Sequence, residues 1–194
     1  MRARMQILTA GTHVLSDASD EQLAERAAAD FEAFEELYRR YIVRMYRFLR
    51  SQTPDDATAE DLTAQVFFKA LSSAASFRGD GSYKSWIFRI AHNTLSTWRS
   101  RRGRALTVEQ VPEKVDPGPT PVSHAIAREE RDLVWEEVEA LPAAQQEVIT
   151  LHYAEDLSIE EVARVTKRTR GAVRILLHRA RNRLRHALEG RDLQ

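Results

Sequence analysis

Two stretches of the 194-residue chain carry side chains suited to holding a polyanion. From Arg78 to Arg104 stand Arg78, Lys84, Arg89, Arg99, Arg101, Arg102 and Arg104 against the single acid Asp80, a balance of +6. From Ala163 to Ala187 stand Arg164, Lys167, Arg168, Arg170, Arg174, Arg179, Arg181, Arg183 and Arg185 with no acid, a balance of +9. The chain as a whole is neutral, 29 basic residues against 29 acidic, so the compensating acids collect elsewhere, as in 17–36 and 129–139. Two basic stripes on a balanced chain are the footprint of two patches for a polyanion.

The stripes differ in chemistry. In the first, the basic residues are interleaved with Trp86, Trp98 and Asn93. Aromatic faces and amides hold unstacked single-stranded bases, while arginines follow the backbone. Trp86 and Trp98 also fit a core-facing helical stripe, and Asn93 also reads as a surface amide, so both readings stand. In the second, Arg174, His178, Arg181 and Arg185 recur at helical spacing opposite an apolar stripe, with Arg170, Gly171 and Arg174 at the leading end. That pattern suits a helix laid in a major groove; a solvated charged face is the plainer reading, and the absence of any acid disfavours it.

Catalytic chemistry finds no foothold. With no cysteine there is no disulfide, no thiolate nucleophile and no sulfur-ligated zinc. His13, His92, His124, His152, His178 and His186 form no HExxH pair or other metal-ligand spacing, and no glycine-rich phosphate loop or GxSxG elbow is present. No catalytic residue, metal ligand or cofactor is expected.

The elements that must position these groups are helices, because apolar residues recur at helical spacing almost throughout and strand signals are nearly absent. Phe31, Phe34, Leu37, Tyr41, Ile42, Met45, Phe48 and Leu49 share one stripe, with Asp30 as N-cap. Thr58 and Asp61 have capping-box spacing and open a helix that turns Leu62, Val66, Phe67, Ala70 and Leu71 inward. After a loop with Gly79 and Gly81, a third helix presents Tyr83, Trp86, Ile87, Ile90, Ala91, Leu95 and Trp98 to the core. The period then stops, and Pro112, Pro117, Gly118, Pro119 and Pro121 mark an extended linker that lets the two halves move. A helix over 126–141 follows, and helicity resumes after Pro142. Ser158 and Glu161 then form a capping box on a short helix, and a turn at 167–169 leads into a long basic helix. Short helix, tight turn and longer basic helix read as a helix-turn-helix.

The expected fold is therefore all-α: a tail at 1–19, a first domain at 20–104, a flexible Pro-rich linker at 105–125 and a helix-turn-helix domain at 126–194. No apolar run approaches the roughly 20 residues needed to cross a bilayer, and the N-terminus lacks a secretory apolar core, so no membrane insertion and a cytoplasmic location are expected.

In order and spacing these blocks resemble the extracytoplasmic-function group of bacterial RNA polymerase sigma factors. The resemblance rests on Ala33-Phe34 to Tyr41, on 59–70 (AEDLTAQVFFKA), on 77–80 (FRGD) and on 86–93 (WIFRIAHN). In the second half it rests on Leu141-Pro142 with 146–149 (QEVI), on 157–163 (LSIEEVA) and on 177–181 (LHRAR) with Arg183-Leu184. It implies an alternative sigma factor that binds core polymerase, directs it to promoters and helps melt the minus 10 region. By position it assigns Asp61, Gln65 and Phe68 to core polymerase, through the beta-prime clamp, with the beta subunit as a further contact. Arg78, Lys84, Trp86, Asn93, Arg99, Arg101 and Arg102 are assigned to the minus 10 element, where a base turned out of the non-template strand would be held. Arg170, Gly171, Arg174, His178, Arg179 and Arg181 are assigned to the duplex minus 35 element. An anti-sigma factor covering both patches is a further implied partner. Two departures stand out: Thr97 replaces an acid common in the family, and the turn at 166–168 reads Thr-Lys-Arg, which asks a non-glycine residue to take an uncomfortable backbone angle.

Overall fold

A computed structural model describes Leu15 and residues 17–79, 81–105 and 133–191. Nearly all of the expected linker, most of the tail and the first part of the helix expected over 126–141 lie outside these residues.

The first half is built from α1 (Asp20–Arg26), α2 (Phe31–Arg50), α3 (Asp56–Ser72) and α4 (Tyr83–Ala105). Sequence reading missed α1, which has only two buried apolar residues, Leu23 and Ala24, to signal it. A capping box opens it: Ser19 Oγ accepts from the Gln22 amide at 3.2 Å, and Gln22 Oε1 accepts from the Ser19 amide at 2.9 Å. Arg40 of α2 fastens this entry by donating to the carbonyls of Leu15 and Ala18 and to Asp20 Oδ1. Asp30 caps α2 as expected, accepting from the amides of Glu32 and Ala33.

Helix α3 corrects one expectation. Its N-cap is Asp55, whose carboxylate takes the Thr58 amide at 2.7 Å. Thr58 therefore lies one turn inside the helix and forms no capping box with Asp61. Two residues expected inward also stand out in solvent, Phe31 at 68% exposure and Leu71 at 41%. Both sit in terminal turns, where the apolar stripe outruns the neighbouring helices. Conversely Phe88, not among the residues expected inward, is fully buried, perpendicular to Phe48 with centroids 5.3 Å apart. Helix α4 is covered on more than one side, so its buried arc is wider than a single stripe.

The second half comprises α5 (Leu133–Glu139), α6 (Ala143–Ile149), α7 (Ile159–Thr166) and α8 (Arg170–Arg191). Pro142 begins α6 from the N-cap position, where its missing amide is harmless. A π-helical segment, Thr150–Ala154, and Asp156 in the left-handed region (φ 51°) reshape the chain before α7. The Ser158–Glu161 capping box forms as expected. Lys167 ends α7 with φ 54° and ψ 37°, the uncomfortable angle anticipated for a glycine-free turn. Helices α7 and α8 form the helix-turn-helix, with Val173, Leu177 and Ala180 buried beneath α8. Buried apolar residues of both halves join in one contiguous cluster, and α7 lies directly against α4.

Candidate nucleic-acid interface

On α3, Asp61, Gln65 and Phe68 follow an i, i+4, i+7 spacing and are all exposed, Phe68 at 71%. Leu62, Val66 and Phe67 fix that orientation by filling the core on the other side. The result is a polar edge with one unburied phenyl ring.

Ahead of α4 the chain turns through Gly79 (φ 71°) and Gly81 (φ 128°), conformations that a side chain resists. Arg78 is exposed in this loop. Two acceptors fix the start of α4: Glu21 Oε1 takes the Tyr83 amide at 3.1 Å, and Ser82 Oγ takes the Ser85 amide at 3.2 Å. Trp86 and Asn93 are seven residues apart, which puts them on one side of α4 about 10 Å apart along the axis. Both are partly exposed. Trp86 belongs to an aromatic cluster, with Phe77 at 5.8 Å and Tyr83 at 5.6 Å. The Tyr83 hydroxyl is buried without a hydrogen-bond partner among the described residues, and burial pushes its pKa far up. Arg101 and Arg102 are exposed at the far end of α4, and the Arg102 guanidinium lies 5.4 Å from the Trp98 ring centroid.

The first-half assignments do not form one open cluster, because the second half stands against part of them. Arg99 Nη2 donates to Gln52 Oε1 at 2.7 Å, and Gln52 Nε2 in turn donates to Gln146 Oε1 of α6 at 2.9 Å. His92 Nδ1 lies 2.7 Å from Glu147 Oε1. Arg44 Nε donates to Glu155 Oε2 at 2.8 Å. The Ser82 hydroxyl donates to Glu161 Oε1 at 2.6 Å, so the cap of α4 interlocks with the capping box of α7. Arg164 of α7 also reaches over Gly81, its Nη1 3.4 Å from where a Cβ would stand. Burial raises the pKa of Glu155, although Arg44 and Lys84 oppose the shift. Burial also opposes ionisation of Glu161, but hydrogen bonds from Ser82 and Ser158 outweigh it and hold that carboxyl low. In three of these contacts the second half supplies a carboxylate to the first. No sequence pattern announced them, since each joins residues 55 to 111 positions apart.

The second-half assignments are open. Arg170, Gly171, Arg174, His178, Arg179 and Arg181 are all exposed on α8. Arg170 Nη1 lies 3.5 Å from Glu160, and His178 Nε2 lies 3.1 Å from Asn182 Nδ2. The first acid on α8 is Glu189, so its outer face is uniformly attractive to an anion over about four turns. Among the described residues, no cluster of His, Asp and Glu could hold a metal ion, and no helix is long and apolar enough to cross a membrane.

Comparison with known proteins supplies two family matches: sigma-70 region 2 over residues 37–105 and sigma-70 region 4 over residues 131–184. The chain is 31% identical over 163 residues to the ECF RNA polymerase sigma factor BldN of Streptomyces coelicolor, covering 82% of this chain and 62% of that protein. It is 31% identical over 166 residues to the RNA polymerase sigma factor YlaC of Bacillus subtilis, covering 79% of this chain and 91% of YlaC. Among solved structures it resembles the sigma factor RpoE co-crystallised with the anti-sigma factor NepR from Bartonella quintana. That match has a TM-score of 0.67 and 26% identity, over 80% of this chain and 96% of the other.

Proposed function

The chain belongs to the sigma-70 family, in its extracytoplasmic-function group, and from that premise we propose how its parts divide the work of promoter recognition. It is an alternative sigma factor, which directs RNA polymerase to specific promoters, and it is not an enzyme. In our reading α8 lies in the major groove of the minus 35 element. Arg170, Gly171, Arg174 and His178 face the bases, and Arg179 and Arg181 meet phosphates. The observation that carries this reading is the exposed, acid-free outer face of α8 directly after a helix-turn-helix turn.

Helix α4 and the loop before it take the minus 10 element in single-stranded form. Trp86 and Asn93 receive an unstacked base, while Arg78, Lys84, Arg99, Arg101 and Arg102 follow the backbone. Unstacking costs a few kcal/mol, and aromatic stacking returns about 1–3 kcal/mol per base, so grouping aromatics with cations on one helix makes melting affordable. Asp61, Gln65 and Phe68 dock on the beta-prime subunit of core polymerase, and the second half contacts beta. A phenyl ring left 71% exposed has no use within the molecule, which supports a protein partner for that edge.

An anti-sigma factor is the second partner we infer, supported by the similarity to a sigma factor held by NepR. Because the two halves touch directly, a partner that wraps around them fits this arrangement better than one wedged between them. The reading also puts the protein in the cytoplasm, with the polymerase. Transcription in vitro tests it: core polymerase with this protein should start at new sites that share two upstream elements. Starts unchanged from core alone, with the protein itself protecting a symmetric DNA site, would instead identify a dimeric repressor or activator.

A further inference from the structure

We propose that Ile175 selects a thymine in the element read by α8, by packing against its C5-methyl group. The proposal rests on the reading of α8 as the minus 35 helix and deepens it to one side chain and one base. Ile175 is 54% exposed in the second turn of α8, an apolar β-branched residue with more than half of its surface open among the described residues. Gly171, Ile175, His178 and Asn182 follow an i, i+4, i+7, i+11 spacing, which makes them a single ridge. That ridge points directly away from the buried Val173, Leu177 and Ala180.

Arginines flank the ridge on both sides: Arg170, Arg174, Arg181 and Arg185 on one, Arg179 and Arg183 on the other. A helix lying in a major groove is served by this cross-section: Arg179, Arg181, Arg183 and Arg185 reach toward the two phosphate backbones, Arg170 and Arg174 reach base edges from the leading end, and the arginine-free crest lies between them against the bases. The charge of the flanks also decides what covers Ile175, because a protein surface apolar enough to bury it would have to bury the arginines too.

Within the major groove, thymine alone presents an apolar group. Isoleucine in a helix is confined almost to one χ1 rotamer, so its methyl groups are held in place before contact and little freedom is lost on docking. A cytosine at the same place would set its amino donor against an aliphatic side chain with no acceptor and would be disfavoured. His178 is steadied by Asn182 on the same ridge and continues the crest one turn further on.

The test uses holoenzyme reconstituted from core polymerase and the full chain, on promoters recovered by mapping its start sites. Thymines of the upstream element are replaced one at a time by deoxyuridine, which keeps the pairing and the O4 acceptor but lacks the methyl group. One replacement should weaken promoter binding about fourfold with the natural chain, the worth of one buried methyl. It should change nothing with Ile175→Ala, while Ile175→Val should retain part of the effect. Because Ile175 is exposed, these variants leave the core intact. If a scrambled upstream element abolishes binding but no deoxyuridine matters, or if one matters equally with Ile175→Ala, the assignment to Ile175 is overturned and the reading of α8 stands. If scrambling that element has no effect, the reading of α8 falls and the proposal with it.

Discussion

Asn93 illustrates how far a single residue can be read. Its type and its place beside Trp86 suggested a base contact, and its partial exposure on the same side of α4 is compatible with one. Asn93→Ala should weaken both promoter opening and binding to a pre-melted promoter by about tenfold, the worth of one hydrogen bond lost in a desolvated site, while leaving the closed complex nearly unchanged. An equal loss in the closed complex, or no loss on the pre-melted template, would argue against a contact with the unstacked base. The exposure of Arg174 and His178 was legible in the sequence, because both fall opposite the apolar stripe of their helix, whereas Phe68 was singled out only by the family resemblance. Glu147, Glu155 and Glu161 were not legible, because their partners are far away in the chain and a solvated carboxylate looks the same in sequence as a buried one. Ile175 was overlooked for a different reason. The reading there followed charge, and one aliphatic residue among arginines carries no charge signal.

At the scale of elements, the helices were legible wherever a long apolar stripe coincided with a capping residue. Helix α2 with Asp30 and helix α7 with Ser158 both match their sequence signals. Helix α3 shows the limit of such signals, since Asp55 and Thr58 are both competent caps and only the backbone decides between them. Asp55→Ala should therefore destabilise the protein by about 1 kcal/mol, while Thr58→Ala should be close to neutral, as urea denaturation would measure. The reverse order would restore the cap to Thr58. Helix α1 escaped notice because seven residues carry too little periodicity. The π-helical segment at Thr150–Ala154 escaped because no simple residue pattern encodes the extra residue in that turn.

The whole molecule is closed, with α6, α7 and the segment at Glu155 set against α4, α2 and the glycine loop. This arrangement was beyond the sequence, which marks two halves and a linker but not the surface on which they meet. Replacing Glu147 and Glu161 together by glutamine should loosen the contact. The radius of gyration from small-angle X-ray scattering should rise, and affinity for single-stranded minus 10 DNA should increase about three- to tenfold, as expected for two weakened charge-assisted hydrogen bonds. No change in either quantity would mean that these carboxylates do not hold the halves together. Acid should act in the opposite direction through Glu155, which faces Arg44 on α2, Lys84 on α4 and its neighbour Asp156. Its pKa is raised when buried, so the closed state binds a proton more tightly than the open one. That contribution is fully present below the ordinary carboxylate value of about 4.3 and is lost as pH rises through the raised value. The molecule should accordingly be more compact at pH 5 than at pH 7.5, and Glu155→Gln should reduce the difference. The acidic contacts between the halves also bear on ionic strength. Salt screens charges beyond about 8 Å at physiological concentration, so it hardly touches these direct, partly buried pairs, while it weakens DNA binding through the counterions that phosphates release. Added salt should thus lower initiation through loss of the promoter while the halves stay together, so that the radius of gyration of the free protein changes little over the range in which DNA binding is lost.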